Sequence, residues 1–488
     1  MKILKNLRER LHTKGVDVIN TDYYDIIDMW KSWYNGNVDD FHYYNVKIAD
    51  GSTAQFERKT MSMAKKGAED MMKLLWSNKC DIKLGSDEKT KKLWGVLDSK
   101  QNNFTIMFPQ MIELAMALGT TAMTQYKDTM GRTRIEYIND AIAIIPYAYD
   151  NFNITGFIVF NQWQEAEKRS VIYYTHLTYH EFKAEKGEDG EYKQVYRKYN
   201  EVYKSKNPDE LGKEVDFNSV FPDVEELVEE NVDTPHFQII KPPLANNVDI
   251  NTPMGLSIFG NSIDKLKAID TKYDSFDIEF VDGKRRILVD RTALKGTPQV
   301  DENGNISQQL YFDRNDRTYV AMNGMKDQPV KDISFDLRYQ EHIDSINAEL
   351  NWYSASLGFG ESFYKFDGNG QATATEILSQ DDDAFRTKQT FEVVIKDVII
   401  DLVKSICYLE GIELSENEIQ VEFDYSRFEN QEKTQARLER EVSKGITSKV
   451  EYRMKVYGET EEIAKQKIAE IKESEPNVKD LLGTNNEE

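Results

Sequence analysis

The sequence predicts an α+β protein, and three observations carry the prediction. Apolar residues recur at helical spacing over much of the first 120 residues and again after residue 260. Between them, from Thr120 to about residue 203, the period changes to two, with Ile, Val, Tyr and Phe alternating with polar residues. Two regular helical seams beyond residue 260 are separated by about 50 residues of turn-rich, strand-like sequence.

The N-terminal region opens with Asp22 before a stripe of Ile26, Ile27, Trp30 and Trp33/Tyr34. Asn37–Ile48 is rich in Tyr and Asn and reads as loop. Phe56–Trp76 is periodic again through Met63, Gly67, Met71, Leu74 and Leu75, and a third helix runs from Phe104 to Leu118, with Gly119 as its C-terminal cap. Strand-like segments follow at 121–127, 133–138, 141–147, 154–163, 170–180 and 191–203. Turn-prone pieces such as Asn139-Asp140 and Gly187-Glu-Asp-Gly190 separate them, which predicts an antiparallel meander. Asp223–Asp233 reads as an acidic loop, and Lys241-Pro-Pro243 with Asn246-Asn247 as irregular linker.

The first seam comprises Ile263, Leu266, Ile269, Tyr273, Phe276 and Phe280 and stops at Asp282-Gly283. The second comprises Tyr339, Ile343, Ile346, Leu350, Tyr353 and Leu357, in steps of four and three, and ends at Gly358. Between them lie strand-like Arg286–Asp290, Gln309–Phe312 and Tyr319–Ala321, with a turn at residues 301–305. Gly358 to Gln371 is a glycine-punctuated aromatic loop. Ala372–Glu410 then reads as one helical stretch, roughly 58 Å long if unbroken. Its apolar stripe is Phe391, Val394, Val398, Leu402, Ile406 and Leu409. A strand alternates through Ile419, Val421, Phe423 and Tyr425. Charged helices complete the chain: 431–444, one behind a Ser448/Glu451 capping box, and 459–472, with a tail after residue 473 that reads as disordered.

Composition excludes several classes. Of the 488 residues, 40% are hydrophobic, with 26 Tyr, 23 Phe and 6 Trp, enough apolar material to support a folded core. No run of about 18 apolar residues occurs, so no membrane span is expected. Two cysteines, Cys80 and Cys407, make no disulfide framework and point to a reduced, intracellular setting. Met1–Thr13 has basic residues but no apolar signal core, so export by the usual route is not expected. With 62 Lys+Arg against 85 Asp+Glu, the net charge of −23 disfavours tight, general DNA binding.

The chemistry of catalysis is absent from the pattern. There is no phosphate-binding Gly-x-x-x-x-Gly-Lys-[Ser/Thr], no dinucleotide fingerprint and no nucleophile elbow. His176 and His180 sit on strand-like sequence, where four residues span about 13 Å, too far to share a metal. Asp367-Gly-Asn-Gly-Gln371 begins like a calcium loop but lacks the required glycine and the closing glutamate, and reads as a tight turn. Asp381-Asp-Asp383 reads as a solvated helix face. Lys284-Arg-Arg286, with Arg291 and Lys295 nearby, stands out in an acidic chain: a surface patch without a partner, or a contact for an acidic protein or DNA phosphates.

Gly255-Leu-Ser-Ile-Phe-Gly-Asn-Ser262 enters the first seam and Lys284-Arg-Arg-Ile-Leu-Val289 leaves it. Gly358–Gln371 follows the second, and Ala372-Thr-Ala-Thr-Glu-Ile377 starts the long helix. In that order, over nearly the whole chain, these segments resemble the portal proteins of tailed double-stranded DNA bacteriophages. The resemblance implies a wing over residues 1–257, a first stem helix over 258–283 and a clip over 284–335. A second stem helix over 336–357 and a tunnel loop over 358–371 would follow. The long helix and a strand returning to the wing would occupy 372–429, and a helical crown with an acidic tail 430–488.

The resemblance also implies roles. Phe359, Gly360, Glu361, Ser362, Tyr364, Lys365, Asp367 and Asn369 would line a DNA channel in the tunnel loop. Lys284, Arg285, Arg286 and Arg291 would lie at the partner-docking clip. Ile263, Leu266, Ile343, Ile346, Leu350 and Tyr353 would pack the stem. Catalytic residues, metal and cofactor are expected to be absent. Expected partners are further copies in a ring, twelve in the particle, the double-stranded DNA passing through it, the terminase large subunit, a head-completion adaptor, and the major capsid and scaffolding proteins. No membrane is expected. The place would be one capsid vertex of the virion, after assembly in the host cytoplasm. Helices with one polar face suit a channel, and an acidic lining repels phosphate and so favours passage over sticking. The other reading is a soluble enzyme with an aromatic-lined cleft for a carbohydrate-like substrate.

Overall fold

A computed structural model describes the chain except residues 1, 14, 48–50, 168–169, 188–189, 284–286, 291–295, 301–305, 311–318, 323–329, 333–335, 367–373, 416, 425–437, 458–460 and 475–488. It divides into two units, Met1–Glu422 and Phe423–Glu488.

The first unit opens with helix α1 (Lys2–Thr13), whose leucines at 4, 7 and 11 form one buried stripe. Helix α2 (Tyr23–Tyr34) buries Tyr23, Tyr24, Ile27, Trp30 and Trp33. A hairpin follows, β1 (Tyr43–Lys47) and β2 (Thr53–Glu57), in a region the sequence pattern assigns to loop and helix start. Helix α3 (Met63–Leu75) therefore begins seven residues later than its periodicity suggests. Strand β3 (Asp81–Lys83) and helix α4 (Asp87–Leu97) come next, the helix capped by Ser86, whose hydroxyl accepts from the Lys89 N–H. Helix α5 (Phe104–Leu118) is apolar on nearly every side and forms the centre of this unit, with Trp76 set edge-on to Phe104 and Phe108. Gly119 ends it in the left-handed region, as expected.

The expected meander divides into two sheets. Strands β4 (Thr121–Lys127) and β5 (Thr133–Ile138) leave the run to form a separate sheet. Residues 141–143 are a 3-10 turn, so β6 is Ile144–Asp150. Strands β7 (Asn153–Glu167), β8 (Ser170–Lys186), β9 (Tyr192–Ser205) and β10 (Lys213–Val215) continue from β6 as an antiparallel ladder. After a short helix α6 (Phe217–Val220), the acidic segment contains strand β11 (Leu227–Asn231), which pairs with β9. Its residues are held there partly by charge, since Arg197 Nε donates to Glu229 at 2.8 Å. Strand β12 (Phe237–Ile240) joins β4 and closes the second sheet.

Residues 254–259 are buried and run against the end of α5. The approach is closer than a side chain permits: a methyl on Gly255 would stand 2.0 Å from the Gly119 carbonyl oxygen, and one on Gly119 2.2 Å from that of Gly255. Tyr23 donates to the Gly255 carbonyl at 2.8 Å, and the Gly255 N–H donates to Thr120 Oγ1 at 2.9 Å. This segment delivers the chain into helix α7 (Ile263–Asp282). Five short strands follow: β13 (Ile287–Asp290), β14 (Gly296–Val300), β15 (Ile306–Leu310), β16 (Tyr319–Met322) and β17 (Val330–Asp332). β13 lies between a parallel β16 and an antiparallel β17, and β14–β15 is a hairpin. Helix α8 (Tyr339–Ser356) and helix α9 (Ala374–Glu410) complete the framework. Strand β18 (Gln420–Glu422) then returns to pair with β3, Gln420 opposite Lys83.

Helix α9 buries Phe391, Val398, Leu402 and Ile406 of its expected stripe, with Val394 and Leu409 half-buried. Asp382 and Asp383, in its first half, are exposed. The same helix also buries an ion pair. Lys388 Nζ lies 2.9 Å from Glu392 Oε1, and it donates at 2.9 Å to the carbonyl of Leu74, at the C-terminal end of α3. A cation there satisfies one of the helix's unpaired carbonyls.

In the second unit, helix α10 (Lys449–Tyr457) starts at the expected capping box. Ser448 Oγ accepts from the Glu451 N–H, and Glu451 Oε2 accepts from the Ser448 N–H. It packs on helix α11 (Glu461–Ser474). The expected helix over 431–444 is described only from residue 438, and the tail from 475 lies outside the described residues.

Removing the Lys388 cation leaves the buried Glu392 carboxylate without the ammonium that balances its charge. Lys388→Met should destabilise the first unit by about 3–5 kcal/mol, whereas Lys388→Met with Glu392→Leu should recover most of the loss. Denaturant unfolding of the two variants checks this, and equal losses in both would show that the pair's charge balance is not what matters.

Candidate channel elements: a helix pair and the loop that follows it

Helices α7 and α8 run antiparallel, and polar contacts mark the register along their length. Ser262 Oγ, at the start of α7, meets Ser356 Oγ, at the end of α8, at 2.7 Å. Midway, Lys272 Nζ donates to Glu349 Oε1 at 2.7 Å and to the Ser345 carbonyl at 3.3 Å. At the other end, Arg338 holds Glu279 with two side-chain hydrogen bonds, 3.1 and 2.7 Å, and its backbone N–H adds a third at 3.2 Å. The guanidinium drives the Glu279 pKa down to about 2. Gly283 allows the pair to close at that end, because a methyl there would lie 2.3 Å from Leu337 Cδ2. The segment carrying β13–β17 leaves from α7 and returns to α8 at this same end.

The seam residues divide by position. Ile346, Leu350 and Tyr353 are buried, as are Leu266 and Ile269, while Ile263 and Ile343 are half-buried. Tyr339 is 54% exposed, against the expectation from spacing. Tyr353 also reaches α3: its hydroxyl donates to the Met63 carbonyl at 2.9 Å, over Gly67, where a methyl would stand 2.6 Å from that oxygen.

Helix α7 is fixed to the N-terminal region by its carboxylates. Asp270 accepts from the Met61 N–H at 2.9 Å and meets His42 Nε2 at 3.1 Å. The Val38 N–H donates to His42 Nδ1, so Nε2 carries the proton and donates to Asp270. One turn on, Asp274 accepts from the Lys59 N–H at 3.1 Å, and Asp277 meets Lys59 Nζ at 2.7 Å. None of these pairs is visible in hydrophobic periodicity. Only an acidic i, i+4, i+7 row on α7 hints at them.

The loop after α8 begins with a full C-terminal cap. The Gly358 N–H donates to Ala355 O and the Phe359 N–H to Ser354 O, both at 3.1 Å, with Gly358 at φ +79°. Thr387 of α9 donates to the Gly358 carbonyl at 2.7 Å, and its hydroxyl oxygen lies 2.5 Å from where a Gly358 methyl would be. Phe359 and Tyr364 are buried, not presented to open space: Phe359 stacks on Phe363, and Tyr364 stacks on Tyr353. Gly360 is buried with them. The chain doubles back along the pair, so that the Phe366 N–H donates to Asn347 Oδ1 at 2.8 Å and its ring sits edge-on to Phe276. Glu361 and Lys365 are exposed and Ser362 is half-buried. Asp367 and Asn369 lie outside the described residues, as do Lys284, Arg285, Arg286 and Arg291.

A cavity of about 760 Å³ opens among β4, β8, β9 and β11, with Glu136, His176, Lys198, Glu230 and His236 on its wall. Its polar groups have partners within the sheets. His236 lies between Glu230 (2.9 Å) and Ser405 of α9 (2.8 Å), His176 meets Asn200 at 3.0 Å, and Lys198 stands over the Tyr126 ring. Burial lowers the pKa of His176, Lys198 and His236. His180 is fully buried and bonds Tyr196, so the two β8 histidines serve separate contacts. Among the described residues no group of His, Cys, Asp and Glu could hold a metal ion, and no helix is long and apolar enough to cross a membrane.

Residues 16–479 match the family model described as phage portal protein, SPP1 Gp6-like. The chain belongs to that family. It is a family of structural proteins, and the match spans both helices of the pair, the strands between them and the loop. No curated protein matches the chain. Among solved structures it is similar to a chain of the "virion of native gene transfer agent (GTA) particle", at 11% identity and TM-score 0.36. It is also similar to a chain of the "neck of native GTA particle computed with C12 symmetry", at 10% identity and TM-score 0.33. Each likeness covers 80% of this chain and 88% of the other.

Ile346 is fully buried between the helices, so Ile346→Asp would place an unpaired carboxylate there and should destabilise the first unit by several kcal/mol. Tyr339→Asp, at the exposed end of the same seam, should be within about 0.5 kcal/mol of the parent. Unfolding midpoints of the two variants separate the cases, and similar losses would contradict this division of the seam.

Proposed function

We propose that the chain is the portal of a tailed phage particle: a ring-shaped channel at one capsid vertex, through which double-stranded DNA enters on packaging and leaves on ejection. The observation that carries this reading is the antiparallel α7–α8 pair bracketing a small β-rich segment, in a chain that belongs to the portal family. Copies arranged head to tail, twelve in the particle, would close the ring. The net charge of −23 suits a conduit that lets phosphate pass without adhering.

Within the ring, the loop after α8 would approach the DNA. Gly358 and Thr387 fix where it starts and Asn347 fixes its turn back, which leaves Glu361 and Lys365 as its exposed charges among the described residues. Lys365 would touch phosphates briefly, with Glu361 limiting the contact, while Phe359 and Tyr364 brace the loop from within. Asp367 and Asn369 would extend the same lining. The segment between α7 and α8 would be the docking end, where Lys284, Arg285, Arg286 and Arg291 meet the terminase large subunit and later a head-completion adaptor. Charge there would act chiefly on association rate and specificity. Capsid and scaffolding proteins would surround the wing during assembly in the host cytoplasm.

Replacing the loop's two exposed charges, Glu361→Ala with Lys365→Ala, tests the loop's role. Rings should still form, since Tyr364 and Phe366 keep their packing on the helix pair, yet packaging in an assembling particle should slow or stall. Packaging of full-length DNA at the normal rate by that variant would remove the loop's charges from the mechanism.

A further inference from the structure

The second unit has helices but little core. Its two packed helices, α10 and α11, are 9 and 14 residues long. Isolated helices of that length are marginal in water, and a segment of about 40 residues or fewer rarely supports itself without a partner. Among the described residues of this unit, Leu438 and Ala464 are the buried apolar side chains. Val450, Met454 and Tyr457 fall at i, i+4 and i+7 and form one edge of α10. Met454 is 38% exposed and Tyr457 59%, although the Tyr457 ring meets Tyr452 and Arg453 of its own helix. On α11, Ile463 is 45% exposed beside the buried Ala464, and Ile446, ahead of α10, is 72% exposed.

The charge of this region departs from that of the chain. Residues 438–474 hold eight acidic and eight basic side chains and are neutral, so the whole of the −23 lies elsewhere. Within the hairpin the two signs are separated. Helix α10 carries Lys449, Arg453 and Lys455 against Glu451, whereas Glu461 and Glu462 open α11. One helix is positive along its length and the other negative at its start. Two copies of this hairpin therefore attract when α10 of one meets the start of α11 of the other, whatever the net charge of the whole chains.

We propose that the α10–α11 hairpin completes its fold on a second copy of this chain, the Met454/Tyr457 edge of α10 packing on the Ile463 edge of α11 of the next copy. The proposal rests on the ring reading given above and names one contact within the ring. Symmetry and charge select the occupant together. In a closed ring, what lies beside a segment at its own height is the same segment of the neighbouring copy. Each hairpin offers two different edges, one apolar and basic, the other apolar and acidic, which is the head-to-tail arrangement that closure requires. The hairpin gains in this way the apolar cover that its own short helices do not provide.

The test uses two full-length single variants, Met454→Cys and Ile463→Cys, co-expressed and oxidised mildly. The native Cys80 and Cys407 are buried and do not compete. The mixture should give covalent dimers on a denaturing gel, and each variant alone should give few, because neither edge meets itself. In parallel, amide exchange of residues 449–474 in the parent should be slower by about a hundredfold in rings than in chains kept dilute and separate. Parent rings with the same exchange as separate chains, or dimers no more abundant in the mixture than in either variant alone, overturn the hairpin contact and leave the ring. A parent that forms no rings at any concentration overturns the contact together with the ring reading.

Discussion

The carboxylate of Asp270 is the joint on which this architecture turns. It is nearly inaccessible to water, and both oxygens are used, one by the His42 ring and one by the Met61 backbone. Burying a carboxylate costs several kcal/mol unless such partners are present, so the geometry around it is strongly selected. Through that one group, α7 is fixed to the base of the β1–β2 hairpin and to the segment entering α3. Tyr353 makes the complementary tie, from α8 to the first turn of α3. With both helices anchored to the same N-terminal region, the polar contacts between them fix their relative sliding. The β13–β17 segment is thereby carried at one end of the pair and the loop after Gly358 at the other.

The loop shows how local geometry constrains function. Its first residues are fixed by a helix cap and by Thr387, and two of its aromatic side chains turn inward on Tyr353 and Phe363. An element that both supports the helix pair and presents Glu361 and Lys365 keeps its charges at a set distance from the pair's axis. Lys388 supports the same region from below, since α9 carries Thr387 to the loop and Lys388 to the end of α3 in consecutive residues.

Hydrophobic period made the helices legible. The 4-3-4-3 steps of Tyr339 to Tyr353 located α8 within a few residues, and the stripe from Phe391 to Ile406 located the buried half of α9. Glycine at 119 and at 358 marked helix ends, because left-handed backbone is required there. What stayed hidden was set by pairing between distant segments. β4 and β5 look like the first strands of the meander, but the other neighbour of β4 is β12, more than a hundred residues on. The β1–β2 hairpin looked like loop because its strands are short and half polar. Asp50-Gly51 between alternating Tyr44/Val46 and Ala54/Phe56 was the available signal. The order of segments sets Phe359 and Tyr364 in the loop but cannot say which way a ring points, and both pack on the chain's own aromatics. Likewise, the ion pairs that tie α7 to α8 join residues about 60 to 80 positions apart and leave no local trace.

The channel proposed above requires copies of this acidic chain to close on themselves around a central hole. Electron microscopy of the purified full-length chain in negative stain tests that claim most directly. Rings with a central opening, viewed end-on, are expected at neutral pH and moderate salt. A field of separate particles of about 57 kDa, with no rings at any protein concentration, would contradict it.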